Sequence, residues 1–263
     1  MKIRSLVFAV VVAVTGLGAV QAADWGDLTL QFTLDGAAPA VKPLSITKDT
    51  EVCSKNKAAL VDEKITVNKA NGGIANVFVY LRPAADAKVA IHPDFEELAK
   101  KAVELDNKGC RFEPHAAVLW TKQELSIKNS DAVGHNTKID TLNNPAVNPI
   151  LPANGQLKQK FTKEERLPST VSCSIHPWMT ARVLVRDNPY AAVSDADGKV
   201  TIKNLPTGKW DFQIWHEGAG FVAEVKDGKG KAVKWSKGRA EFEIKKGAND
   251  YGTYKISLKD LDK

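Results

Sequence analysis

The segment Cys173-Ser-Ile-His-Pro-Trp-Met179 carries three metal-binding side chains within seven residues. Its spacing, C-x-x-H-x-x-M, places a thiolate, an imidazole and a thioether on one short loop. A trigonal site of two histidines and one cysteine, with a long and weak methionine contact, is typical of redox-active copper. The segment therefore predicts a copper site, and this site requires one further histidine from elsewhere in the chain.

His135 is the expected second imidazole. It follows Gly134 and lies 38 residues before Cys173, so a neighbouring strand or loop has to bring it to the site. Zinc also accepts cysteine and histidine, but it rarely accepts methionine, so Met179 favours copper. We expect one copper ion, bound by His135, Cys173, His176 and Met179.

Residues next to these ligands have expected supporting roles. The amide of Asn136 is placed to tie the first ligand segment to the backbone near Cys173. Pro177 and Trp178 are expected to line the mouth of the site with apolar surface. That surface would exclude water and offer a redox partner a flat docking patch around the imidazole edge of His176.

Residues 1–22 have the composition of an export signal. Lys2 and Arg4 precede an apolar run, and Val20-Gln21-Ala22 has small residues where signal peptidase cleaves. The run is short for a membrane span, although an uncleaved anchor is the alternative. We expect a periplasmic or extracellular protein without a membrane span after cleavage.

Charge does not indicate a nucleic-acid partner. The chain has 37 basic and 31 acidic residues, and its formal net charge of +6 is spread thinly. The lysines between residues 226 and 246 alternate with acidic, glycine and apolar residues, which is typical of a solvated surface. Binding of nucleic acid is therefore not expected.

Three cysteines in an exported chain leave at least one unpaired. Cys173 has the context of a metal ligand, so Cys53 and Cys110 are the natural disulfide pair in an oxidising compartment. The alternative is that these two are buried free thiols.

Short strand-like segments between glycine, proline and asparagine turns make up most of the chain, for example residues 28–34, 77–81 and 182–186. The predicted fold class is all-β. One stretch, from Pro93 to Leu105, has helix-forming composition with acids in its first turn, so we expect a single inserted helix.

A domain boundary is predicted near residue 188, where Asp187-Asn188-Pro189 follows an alternating strand. Residues 23–188 would form the copper-binding domain with an N-terminal extension, and residues 189–263 a smaller β-sandwich. We expect residues 23–111 to add strands and a cover to the same sandwich.

The segments 112–114, 125–131 and 134–136 together resemble the strand-and-ligand pattern of cupredoxins such as pseudoazurin. The loop 173–179 is similar to that of amicyanin. The resemblance covers residues 112–186 and implies a Greek-key β-sandwich with one type 1 blue copper held by His135, Cys173, His176 and Met179. Lys122 and Thr137 depart from the usual cupredoxin residues.

Residues 188–208 resemble the carboxypeptidase regulatory-like β-sandwich. This second resemblance implies a rigid, non-catalytic module in the C-terminal part of the chain.

His115 and His216 are further candidate ligands, but few donors lie near them in the sequence. His115 is expected to cap a strand end and His216 to be hydrogen-bonded in a turn. The sequence contains no G-x-S-x-G motif, and no pair of acids has a distinctive spacing, so a hydrolase is not predicted.

Together these features predict an exported blue-copper protein that carries single electrons between redox partner proteins and is not an enzyme. The alternative is a copper-binding or carrier protein that delivers or sequesters the metal without electron transfer. A third interpretation makes the C-terminal sandwich a surface-association module.

Overall fold

A computed structural model describes residues 24–55, 60–85 and 87–263. The predicted export signal, residues 1–22, lies outside the described residues. Among the residues that are described, no helix has the length and apolar character needed to cross a membrane.

β-Strands account for most of the regular structure, and the all-β class predicted from the sequence is confirmed. The strands in the first part of the chain are β1 (Trp25–Asp35), β2 (Phe78–Leu81), β3 (Val103–Asn107), β4 (Phe112–Glu113), β5 (Ala116–Trp120), β6 (Leu125–Asn129), β7 (His135–Asn136), β8 (Lys138–Asp140), β9 (Ile150–Leu151), β10 (Gln156–Gln159), β11 (Ser169–Ser172) and β12 (Thr180–Arg186). The later strands are β13 (Ala191–Val193), β14 (Lys199–Pro206), β15 (Gly208–His216), β16 (Gly220–Phe221), β17 (Glu224–Lys226), β18 (Ala232–Lys234), β19 (Arg239–Ile244) and β20 (Gly247–Ser257). The helical segments of the described residues are short and include α1 (Thr50–Cys53), α2 (Phe95–Ala99), α3 (Leu258–Leu261) and a 3-10 turn (Ser236–Gly238).

Two four-stranded sheets form the first sandwich. One has the strand order β10-β6-β3-β4 and the other the order β5-β12-β11-β8, with a separate two-stranded ladder of β7 and β9 beside them. Ile127, Val171 and Val183 are fully buried in the core of this sandwich. The hydrophobic effect of this burial holds the sheets together and fixes the strand ends from which the candidate metal ligands project.

Two further sheets form the second sandwich, and they include strands from both ends of the described chain. One sheet has the order β14-β1-β20-β17-β18; the other has the order β13-β2-β15-β16, with β19 also paired to β15. Inward-facing residues of β1, such as Leu28, Leu30 and Phe32, are buried in this core. Alternate residues of β1 face inward, as expected for a strand with one buried face.

β1 and β2 correct one part of the expectation that residues 23–111 add strands and a cover to the first sandwich: they belong to the second sandwich, whereas β3 pairs with β6 in the first. β1 lies between β14 and β20, and β2 lies between β13 and β15. Alternating hydrophobicity shows that β1 has one buried face, but it does not identify the sheet that this face covers. The strands after the expected boundary near residue 188 all lie in the second sandwich, but β1 and β2, which precede it, lie there too.

β2 is buried on both faces and joins the two sandwiches. Its residues Val79 and Leu81 pack into the second core. Phe78 and Tyr80 point the other way and pack in a separate buried cluster with residues of both sandwiches: Ala116 and Leu184 of the first, and Trp215 of the second. The four sheets are therefore stacked as one body, with an apolar layer between the sandwiches.

The predicted helix from Pro93 to Leu105 is wrong over its second half. Only Phe95–Ala99 is helical, and β3 begins at Val103 and runs parallel to β6. Gln123 Nε2 donates to the carbonyl oxygens of Leu98 and Lys101, which fixes the end of the helix. Backbone pairing and burial in the sandwich outweigh the local helix propensity of this stretch.

We predict that residues 189–263 do not fold when they are expressed alone. This fragment lacks β1 and β2, the strands that fill the middle of both sheets of the second sandwich. Circular dichroism and hydrogen exchange should show an unfolded fragment, whereas residues 24–263 unfold cooperatively. A cooperative unfolding transition in the isolated fragment would contradict the observed pairing.

We also predict an acid-dependent loss of stability that depends on His216. Burial lowers the pKa of this imidazole from the ordinary 6.5 to about 4. The unfolded chain therefore binds a proton on this residue between these values while the folded chain does not. As pH falls from 6.5 to 4, this difference should lower the free energy of unfolding by up to about 3 kcal/mol.

The control for this prediction uses two matched substitutions. His216 Nδ1 accepts from the Gly218 N–H, and an asparagine oxygen can replace it in His216→Asn. The half-buried His92 accepts from the Asp94 N–H in the same way, so His92→Asn is the control. The free energy of unfolding, measured with urea between pH 7 and pH 4, should fall less steeply with decreasing pH in His216→Asn than in the wild type and His92→Asn. An equal pH dependence in all three proteins would refute the prediction.

Candidate metal centre

The ligand loop connects two paired strands. Ser172 at the end of β11 is paired with Thr180 at the start of β12, so the ends of the loop are held together. Inside it, the Cys173 N–H donates to the Met179 carbonyl at 3.2 Å and the Met179 N–H to the His176 carbonyl at 2.9 Å. The sequence between the strands therefore folds into a tight turn that presents Cys173 and His176 together.

His135 reaches the same place from β7. It is paired with Leu151 of β9 and is fully buried. Its Nδ1 lies 4.0 Å from Cys173 Sγ, and Nδ1 of His176 lies 3.8 Å from the same sulfur. These three donor atoms all lie within 4.8 Å of one another.

A second group of donors shares His135. It consists of His135, Asp131 and Cys110. The sulfur of Cys110 is bonded to Cys53 and offers no thiolate, so this second group lacks the ligand that the first one has.

Asn136 links the two ligand segments. Its Oδ1 accepts from the Ser174 N–H at 2.7 Å and the Ile175 N–H at 3.3 Å, and it lies 3.3 Å from Cys173 Sγ. Its Nδ2 donates to Asn148 Oδ1 at 2.7 Å. The side chain therefore holds the start of this loop against β7.

Two carboxylates contact the outer nitrogens of the histidines. Asp131 Oδ2 lies 3.0 Å from His135 Nε2, and Asp49 Oδ2 lies 2.8 Å from His176 Nε2. In a neutral imidazole, a hydrogen bond from Nε2–H to a carboxylate fixes the tautomer and leaves Nδ1 without a proton, which is the form that binds a metal. Both imidazoles therefore offer Nδ1 towards the sulfur of Cys173.

Sequence reasoning missed both carboxylates. Asp131 lies four residues before His135, and this short separation was an available signal. Asp49 is 127 residues from His176, and no pattern in the sequence links them.

The same contacts determine the protonation of the metal-free site. Burial favours neutral His135, but the hydrogen bond with Asp131 and the contact with Cys173 outweigh it and raise the pKa of His135 to about 9. Burial would raise the pKa of the Cys173 thiol, but His135 and the His176 N–H lower it below its ordinary value. Burial lowers the pKa of His176 and outweighs the opposing effect of Asp49. The arrangement favours the thiolate, which is the form that binds metals.

Met179 and the disulfide lie beside these donors. Met179 is buried in the same hydrophobic cluster as Cys173. The structure contains the expected disulfide between Cys53 and Cys110, with a Cα–Cα distance of 5.4 Å. Trp178 Nε1 donates to the Cys110 carbonyl at 3.0 Å, so the ligand loop is also attached to the disulfide.

The expected docking patch around His176 is wrong. His176 has 0% of its surface exposed, because Asp49 and the start of α1 lie over its outer edge. Pro177 is exposed and Trp178 is half-buried, with its ring 5.1 Å from the His176 ring. The imidazole of His176 therefore forms no part of the protein surface.

His115 and His216 lie away from this donor group. His115 Nε2 is 2.7 Å from Glu217 Oε2, and Arg182 Nη2 donates to Glu217 Oε1 at 3.0 Å, which links the two sandwiches by charge. His216 ends β15 and is buried. The structure thus places both residues at or near the interface between the sandwiches.

Comparisons give structural likeness over part of the chain. No protein-family model and no curated protein matches this sequence. A mutant of amicyanin with Cu(I) is similar at 19% identity and a TM-score of 0.29, covering 32% of this chain and 82% of that one. A purple cupredoxin from Nitrosopumilus maritimus is similar at 21% identity and a TM-score of 0.27, covering 32% and 99%.

A copper-containing nitrite reductase from Thermus scotoductus SA-01 is also similar, at 21% identity and a TM-score of 0.30. This match covers 40% of the present chain and 25% of the reductase. Each of these three matches covers less than half of this chain.

We predict that Asn136→Leu destabilises the metal-free protein by about 1 to 3 kcal/mol, because it leaves the N–H groups of Ser174 and Ile175 without their acceptor. Urea unfolding measures the change. Asn148→Ala is the control, since it removes only the partner of Asn136 Nδ2 at an exposed position. Equal stability of Asn136→Leu and the wild type would contradict the anchoring role.

Proposed function

We propose that this protein binds one copper ion through His135, Cys173 and His176, with Met179 as a weak fourth ligand, and carries single electrons. The observation that carries the proposal is the convergence of two Nδ1 atoms on one cysteine sulfur, all within 4.8 Å. Two imidazoles and a thiolate with a weak thioether suit both oxidation states of copper, so the reorganisation of the ligands on electron transfer would be small.

The residues present fit copper better than they fit zinc. Structural zinc sites take four strong ligands in a tetrahedron. This group offers three strong ligands, and the proposed fourth ligand, Met179, is a thioether, which zinc rarely accepts. The His176 N–H lies 3.4 Å from the Cys173 sulfur and supports its negative charge. Bound copper would supply a one-electron couple, and the chain would hold its ligands in place and exclude water.

Burial supports an electron carrier over an enzyme. All four proposed ligands are nearly inaccessible, with exposures of 0% for His135, 2% for Cys173, 0% for His176 and 1% for Met179. A substrate would have to displace protein to reach a metal there, whereas an electron crosses a thin layer of protein without doing so. The proposed partners are redox proteins, whose identity the chain does not specify.

The disulfide supports the proposed location. A bond between Cys53 and Cys110 forms and persists in oxidising compartments. Together with the signal-like residues 1–22, it favours a periplasmic or extracellular protein. The C-terminal part, with its likeness in sequence to carboxypeptidase regulatory-like modules, is proposed to act as a rigid, non-catalytic partner of the copper-binding sandwich.

The decisive experiment is the absorption spectrum of the protein loaded with Cu(II). We expect an intense blue colour that disappears on reduction, because the thiolate transfers charge to the copper. Cys173→Ser should abolish the colour, whereas His92→Asn, a histidine outside the donor group, should retain it. A colourless wild-type protein that binds no copper would refute the proposed function.

Electrochemistry distinguishes the alternative, a copper carrier without an electron-transfer role. An electron carrier should give a reversible one-electron response. Tight Cu(I) binding without such a response, followed by transfer of the metal to an apo-protein acceptor, would establish the carrier instead.

A further inference from the structure

The segment before α1 covers the outer edge of the ligand loop. Asp49 Oδ2 lies 2.8 Å from His176 Nε2, while 35% of the Asp49 side chain remains exposed. The imidazole itself has no exposed surface. Asp49 therefore lies between the outer nitrogen of the proposed ligand His176 and solvent.

Local backbone structure holds Asp49 in place. It lies at the N-terminal end of α1 with φ 47° and ψ 43°, a left-handed conformation that aspartate tolerates better than most residues. Its carbonyl accepts from the N–H groups of Val52 and Cys53 at 3.0 and 2.9 Å. The carboxylate of Asp49 makes no hydrogen bond as a helix cap, and it contacts His176 instead.

Asp49 and α1 together form a cover over the ligand loop, and the disulfide attaches this cover to the first sandwich. Cys53 and Cys110 are buried in its core, and Val52 packs against the same cluster. The bond links residues 57 positions apart and so attaches α1 next to the metal centre.

The same disulfide lies beside the support of the other histidine. Asp131, which contacts His135, accepts from the Gly109 N–H at 2.6 Å and the Cys110 N–H at 2.8 Å. One disulfide therefore supports both carboxylates: Asp49 lies close in sequence to Cys53, and Asp131 is hydrogen-bonded to the backbone at Cys110.

A carboxylate at the outer nitrogen changes the donor strength of an imidazole. It fixes the ring and raises its basicity, and loss of such a partner typically weakens metal binding 10- to 100-fold. Its negative charge also favours the more positive oxidation state of a nearby metal. Cu(II) should gain more from this contact than Cu(I).

We propose that Asp49 is a positioning residue of the copper centre, which holds His176 with Nδ1 towards Cys173 and lowers the reduction potential of the bound metal. This inference rests on the proposed copper function. Asp49 is a cleaner test than Asp131, because replacing Asp131 would also release the backbone at Gly109 and Cys110.

The test compares Asp49→Asn with Glu51→Gln, an exposed acid on the same short helix. Both variants lose one negative charge, but only the first loses a charge that contacts His176. Asp49→Asn should weaken Cu(II) binding about 10- to 100-fold and affect Cu(I) binding less. Each tenfold selective loss of Cu(II) affinity raises the potential by about 59 mV. Glu51→Gln should match the wild type.

A second measurement needs no copper. Cys173 is the only one of the three cysteines that is free, and it is buried, so its reaction with Ellman's reagent reports access to the centre. Asp49→Ala should accelerate this reaction in the metal-free protein, because the cover loses its contact with His176. Glu51→Ala is the matched control and should react at the wild-type rate.

The outcomes separate the two proposals. A blue wild-type protein whose potential does not differ from that of Asp49→Asn would overturn the positioning role and leave the copper function standing. A wild-type protein that binds no copper would overturn the function. An unchanged thiol reaction rate in Asp49→Ala would contradict the role of Asp49 in holding the cover.

Discussion

The candidate centre depends on the hydrogen bonds that fix its two imidazoles from behind. A histidine ring has two nitrogens, and a convergent donor set forms only if each ring turns an unprotonated nitrogen towards Cys173. Asp131 and Asp49 impose that choice at 3.0 and 2.8 Å. Asn136 then fixes the backbone of the loop that carries the sulfur. The position of each donor is thus determined by polar contacts from different parts of the chain.

The stack of four sheets supplies the rigid base for these contacts. β12 begins directly after the ligand loop, and its residue Leu184 packs against Phe78 of the strand that belongs to the second sandwich. Arg186 at its end donates to the carbonyls of Glu165 and Leu81 and lies over the Tyr80 ring at 5.0 Å. Movement of one sandwich against the other would break these contacts, so the second sandwich is structurally coupled to the centre.

Local patterns predicted the fold class and the members of the donor group, because the evidence for them is local. Cys173, His176 and Met179 occupy one loop, and His135 carries its own neighbouring motif. The partner sheet of β1 was not predictable, because alternating hydrophobicity shows that one face of a strand is buried but does not show which sheet covers that face. The stretch that ends at Leu105 has helix-forming composition, and the pairing of residues 103–105 with β6, which decides against a helix there, is not local. Asp49 contacts His176 across 127 positions, which no local pattern encodes.

The position of β1 also bears on the order in which the chain can complete its fold. β1 is made early, but its two neighbours β14 and β20 come from the C-terminal part of the sequence. Most of the first sandwich, from residue 103 to residue 186, is contiguous and has all its strands before either neighbour exists. During synthesis, the apolar residues of β1 therefore have no partner strand while the first sandwich can already assemble, which exposes this strand to aggregation or to chaperones.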